Sequence, residues 1–110
     1  MKRGDIFTVA TGGGFGGKPR PMLLIQADHY TALTTLVFLP FTTILADSPS
    51  PLRPRFEPNA DNGLRELSEL MIHAPITARQ DHVGQFVGQL KAEDLQDIER
   101  ALALLLGLAR

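Results

Sequence analysis

With 110 residues, 44% hydrophobic and 21% charged, the chain has the length of one domain and is too apolar for disorder. The absence of cysteine excludes a disulfide framework, a thiolate nucleophile and a cysteine-based zinc site. The net charge of −1 conceals a skew: residues 1–56 hold six Lys/Arg against three Asp (+3), and residues 57–110 hold five against nine acids (−4). A basic half of this kind suits a local anionic ligand.

The start, Met1-Lys2-Arg3-Gly4-Asp5, turns polar again too soon for a signal peptide, and no apolar run has the length of a membrane span. A soluble cytoplasmic protein, one domain over residues 1–110, is the expectation. Asp5–Ala10 (DIFTVA) is β-branched and aromatic and reads as a first strand.

The stretch that follows, GGGFGGKPRP, is the most informative in the chain. It satisfies the Gly-x-Gly-x-x-Gly spacing and most of a P-loop, but both motifs need a helix directly after the glycines. Lys18-Pro19-Arg20-Pro21 blocks that helix, and Pro19 stands where a P-loop needs Ser or Thr. A nucleotide site is therefore rejected. What remains is a glycine loop, expected to be among the most mobile segments, that delivers Arg20 between two prolines. Each proline restricts its own φ and the residue before it, and a guanidinium held that way suits a phosphate.

Met22–Asp28 reads as strand two, His29–Ala32 as a turn, and Leu33–Leu39 as strand three. Pro40 is expected to end or bulge that strand, leaving Phe41-Thr42-Thr43 just past its end. Pro49, Pro51, Pro54 and Pro58 mark a loop with a short strand around Phe56, carrying Arg53 and Arg55. Asn62-Gly63 signals a turn. Leu67–Ile72 reads as strand four, ending at His73-Ala74-Pro75, and Val83–Leu90 as strand five. Leu95, Ile98, Leu102, Leu105 and Ala109 then alternate spacings of three and four, the stripe of an amphipathic helix over Ala92–Leu106. Glu93 and Asp94 occupy its first turn, where the helix dipole favours acids. The expected fold is mainly β with one helix: a small barrel of about five strands closed by a C-terminal amphipathic helix. His29, His73 and His82 have no metal-ligand spacing, so neither a metal nor a cofactor is expected.

These residues together resemble the MazF/PemK family of bacterial toxin endoribonucleases. The likeness rests on Arg3-Gly4-Asp5-Ile6, Lys18-Pro19-Arg20-Pro21 followed by an apolar strand, Pro40-Phe41-Thr42-Thr43, Asn62-Gly63-Leu64-Arg65, and the closing LKAEDLQDIERALALLLG. It covers nearly the whole chain. His73 stands where many relatives carry an acid, and Glu66 and Glu69 where some are basic or neutral.

The resemblance implies an SH3-like β-barrel, usually a homodimer, that cuts single-stranded RNA without a metal to a 2′,3′-cyclic phosphate and a 5′-hydroxyl. It also implies a cognate antitoxin that blocks the RNA groove. By position, the catalytic arginine is Arg20 and the catalytic threonine Thr42, with Thr43 beside them at the substrate. Such cleavage needs a deprotonated 2′-hydroxyl, a protonated 5′-oxygen and a stabilised phosphorane. An arginine side chain keeps its charge at working pH, so charge stabilisation comes before proton transfer, and Thr42 supplies a further hydrogen bond. Lys18, Arg53 and Arg55 are candidates for steering RNA, Phe15 for stacking on a base, and His73 for substrate contact or proton transfer. Two other readings share the fold: an inhibitor of a protein target such as DNA gyrase, of the CcdB type, and a member that binds RNA or antitoxin without cutting.

Overall fold

The computed structural model describes residues 1–10 and 18–109. Phe15 and the Gly12–Gly17 loop, with the mobility expected of it, lie outside the described residues. The elements in chain order are β1 (Asp5–Val9), β2 (Arg20–Leu24), β3 (Thr35–Thr42), β4 (Arg55–Phe56), β5 (Ser68–Leu70), β6 (Ile76–Arg79), β7 (Val83–Gln89) and α1 (Ala92–Leu105). Strands β7-β1-β2-β3-β6 form one antiparallel curl, and β3 also pairs with β5, which pairs with β4. The 3-10 turn Gln80–His82 joins the two ends of the curl, β6 and β7. This is the expected mainly-β fold with a terminal helix, built as a half-barrel.

Strand alternation divides the core in two. Phe7, Val9, Met22, Leu24, Leu36, Phe38 and Ala78 fill the inside of the curl. Ile6, Leu23, Leu39, Phe41, Leu70 and Ile72 point outward and are covered by α1 through Leu95, Ile98 and Leu102. Both faces of β2 and β3 are thus buried, which is why MLLI and LVFLPF read as continuous apolar runs.

Strand β3 does not stop at Pro40. Its pairing with β6 ends at Phe38↔Ile76 and its pairing with β5 begins at Phe41↔Leu70. Pro40 falls at this handover, where its missing N–H interrupts neither ladder, and its carbonyl accepts from the Met71 amide at 2.9 Å. Strand β6 was not expected from PITARQ, a stretch too short to show a period. At the other end, α1 docks where Gly4 leaves room. Gly4 has φ +96°, and a Cβ there would lie 2.6 Å from Leu95 Cδ1. The helix stops in a Schellman motif, with Gly107 (φ +74°) donating to the Leu104 carbonyl and Leu108 to Ala103.

Candidate active site

The β2–β3 ladder pairs Met22 with Pro40 and Leu23 with Leu39. Arg20 and Thr42 stand two residues beyond this pair, one on each strand, so alternation puts them on the face of Met22 and Pro40. The side chains that would be next in the barrel interior therefore emerge at its rim. Arg20 and Thr42 line one cavity of about 200 Å³, together with Pro21, Phe41, Thr43, Ile44, Ser68 and Met71. The Thr42 hydroxyl oxygen accepts from the Ile44 amide at 3.1 Å, a bond that leaves the hydroxyl its own hydrogen to donate.

A larger cavity of about 540 Å³ adjoins this one and shares Arg20, Pro21, Thr43 and Ser68 with it. Its other walls come from Thr8 on β1, Lys18, the loop residues Gly63–Glu66, and Gln85, Phe86 and Val87 on β7. Together the two form a groove along the barrel rim, with Lys18, Arg20 and Arg65 set against Glu66. A third cavity, about 360 Å³ between the β4–β5 ribbon and α1, shares no residue with the groove.

The loop that carries Arg65 is fixed from within. Asn62 is buried; its Oδ1 accepts from the amides of Asn59 (3.1 Å) and Leu64 (3.0 Å), and its Nδ2 donates to the Glu57 carbonyl at 2.9 Å. Gly63 has φ +65°, and a Cβ there would lie 2.0 Å from the Val87 carbonyl oxygen. Asn-Gly is thus required twice, once for the buried amide and once for the left-handed turn pressed on β7.

The opposite wall is tied down by Glu69, whose side chain is only 2% exposed. Arg53 Nε donates to its Oε1 and Arg55 Nε to its Oε2, both at 2.7 Å. The same arginines donate through Nη2 to the carbonyls of Ile44 (2.8 Å) and Ala46 (2.7 Å), and the Ala46 amide donates back to the carboxylate. Hydrogen bonds from Arg55, then Arg53, hold the Glu69 carboxyl down to about 2 despite its burial. This clasp fixes the strap Ile44–Ala46 that follows Thr42 and Thr43.

Of the residues singled out in the sequence, Arg20, Thr42, Thr43 and Lys18 meet at the groove. Arg53 and Arg55 do not. They are engaged with Glu69, and Arg55 borders the remote third cavity. His73 sits exposed in the turn between β5 and β6, outside the described lining of both groove cavities. The residues not singled out are Thr8, Ser68, Gln85, Phe86 and Arg65. A signal existed for two of them: Arg65 closes the Asn62-Gly63-Leu64-Arg65 motif, and Phe86 is an aromatic between two glycine-containing pairs. Among the described residues, no group of three or more His, Asp or Glu could hold a metal ion.

A family model described as PemK-like, MazF-like toxin of type II toxin-antitoxin system matches residues 2–106. The chain is 42% identical over 109 residues to the Probable endoribonuclease MazF of Mycolicibacterium smegmatis, with 99% of each chain covered. Among the solved structures that resemble it in fold are the following three. One is an endoribonuclease in complex with its cognate antitoxin from a mycobacterial species (TM-score 0.80, 21% identity, 100% of this chain and 98% of that one). Another is the Mycobacterium tuberculosis toxin MazF-mt6 (TM-score 0.79, 20% identity, 96% and 99%). The third is a MazE-MazF complex from Deinococcus radiodurans (TM-score 0.77, 16% identity, 99% and 97%).

Proposed function

We propose that this chain, which belongs to the PemK-like, MazF-like family of type II toxins, is a toxin endoribonuclease that cuts single-stranded RNA without a metal. The observation that carries the reading is a cation and a hydroxyl, Arg20 and Thr42, lining one cavity at the mouth of a basic groove. The 2′-hydroxyl passes its proton to solvent water and its oxygen bonds to phosphorus. The bond to the 5′-oxygen then breaks, and that oxygen takes up a proton from solvent, leaving a 2′,3′-cyclic phosphate and a 5′-hydroxyl. Arg20 and Thr42 act on the charge that builds on the phosphorane oxygens, where fixed donors lower the barrier most. Lys18 and Arg65 hold the strand's flanking phosphates, a salt-sensitive contribution.

The working unit is one domain over residues 1–110, active in the cytoplasm, where RNA is found, and held in check there by a cognate antitoxin. It pairs as a homodimer. Leu104, Leu105, Leu106 and Leu108 are exposed at the end of α1, a surface that pairing would cover. A solution mass near twice 12.0 kDa would agree with this, and a mass of 12.0 kDa would contradict it.

The direct test incubates the purified protein with a mixed single-stranded RNA, with and without EDTA, and maps the ends. The expected result is cutting at short recurrent sequences, unaffected by EDTA, with cyclic phosphate on the upstream fragment. Cutting that EDTA abolishes, or ends that carry a 5′-phosphate, would overturn the mechanism.

A further inference from the structure

We propose that the larger groove cavity is a nucleobase subsite, in which a base next to the scissile phosphate stacks on Phe86 and has its edge read by Gln85 and Arg65. The proposal rests on the ribonuclease reading of the same groove. The two cavities share Arg20, Pro21, Thr43 and Ser68, so an occupant of one is adjacent to an occupant of the other.

Phe86 is 60% exposed although it lies in a cavity wall. Its ring meets Phe7 edge-to-face, with centroids 5.8 Å apart and planes at 76°, and Phe7 itself is buried in the barrel. The ring is braced by the core and still open to the groove. The strand beneath it is braced as well. A Cβ on Gly84 would lie 2.5 Å from Thr8 Oγ1, and one on Gly88 would lie 2.4 Å from the Asn62 backbone. These approaches hold β7 against β1 and against the Asn62 loop on both sides of Phe86. The Thr8 hydroxyl accepts from the Gln85 amide at 2.9 Å. A platform fixed in this way costs little further ordering when a ligand stacks on it.

The chemistry around the ring selects the class of ligand. Lys18, Arg20 and Arg65 face one carboxylate, Glu66, among the described lining residues, a balance that suits a polyanion. An aromatic face accepts any base, whereas the Gln85 amide, with donor and acceptor together, and the Arg65 fork can discriminate between base edges. A base can stack there only when unpaired, so the strand is single.

The test uses a fluorescently labelled, mixed-sequence, single-stranded RNA with 2′-O-methyl groups, which can bind but cannot be cut. Phe86→Leu keeps the apolar bulk and removes the ring; Phe86→Trp keeps a stacking face. Binding is expected to weaken on the order of ten-fold or more in Phe86→Leu and to be retained in Phe86→Trp. On cleavable RNA, Gln85→Ala is expected to broaden the bases found beside the cut. Equal binding by wild type and Phe86→Leu, or no binding by the wild type, would overturn the subsite. A wild type that binds in a Phe86-dependent way yet cuts no RNA would uphold the subsite and overturn the ribonuclease reading alone.

Discussion

Glu69 shows how a single residue's role depends on what lies across from it. On the sequence, Arg53 and Arg55 are two cations in a proline-rich loop, a pattern that reads as a basic surface. Their partner is fourteen to sixteen residues further on, and no local spacing announces it. In the fold both guanidiniums close on one buried carboxylate and on the strap behind Thr43. Removing one member would leave charge buried and unpaired, the costliest outcome for such a cluster. The acid dependence follows from the sign of the shift. The folded carboxyl sits near 2 against an ordinary 4.5. The stability it contributes is full above about 4.5 and drains as pH falls from there through 2. Glu69→Gln is expected to melt earlier than the wild type at neutral pH and to lose less on going from pH 5 to pH 2.5. Thermal melts across that range check it; parallel pH profiles for the two proteins would contradict the clasp.

At the scale of elements, the groove exists because three of them are pinned: the end of β3, the Asn62–Arg65 loop and the outer strand β7. Gly63 is the tightest of these pins. An alanine there would have to hold a left-handed φ and push its Cβ into the Val87 carbonyl. Gly63→Ala is expected to cost about 2 kcal/mol or more in denaturant unfolding, and a loss under about 0.5 kcal/mol would show that the loop gives way easily. Much at this scale was legible in the chain. The apolar and β-branched runs around Phe7, Leu23 and Phe38 and the period of the helix stand out, and Asn-Gly announced its turn. Pro40 misled because proline is read as a strand terminator, whereas here β3 changes partners at that residue and needs no donor. Strand β6 has four residues and one buried side chain, too little pattern to stand out. Phe86 escaped notice for a related reason: VGQFVGQ reads as a strand whichever face is exposed, and only the fold shows that the ring looks into the groove.

The whole molecule is a half-barrel whose interior face runs out at one rim, where β2 and β3 exchange apolar pairs for Arg20 and Thr42. The sequence alone placed those two residues at the ends of separate strands; the fold adds the cavity that both of them line. It also adds the far wall with Phe86 and Arg65, built from segments more than twenty residues away in the chain. No helix among the described residues is long and apolar enough to cross a membrane, and the groove opens to solvent. In the proposed mechanism Arg20 is the fixed cation beneath the reacting phosphate. The most direct measurement is the RNA cleavage rate of Arg20→Ala beside the wild type, with matched melting curves to show an intact fold. The expected result is a loss on the order of 10²-fold or more at unchanged stability. Cleavage at the wild-type rate by a folded Arg20→Ala protein would contradict it.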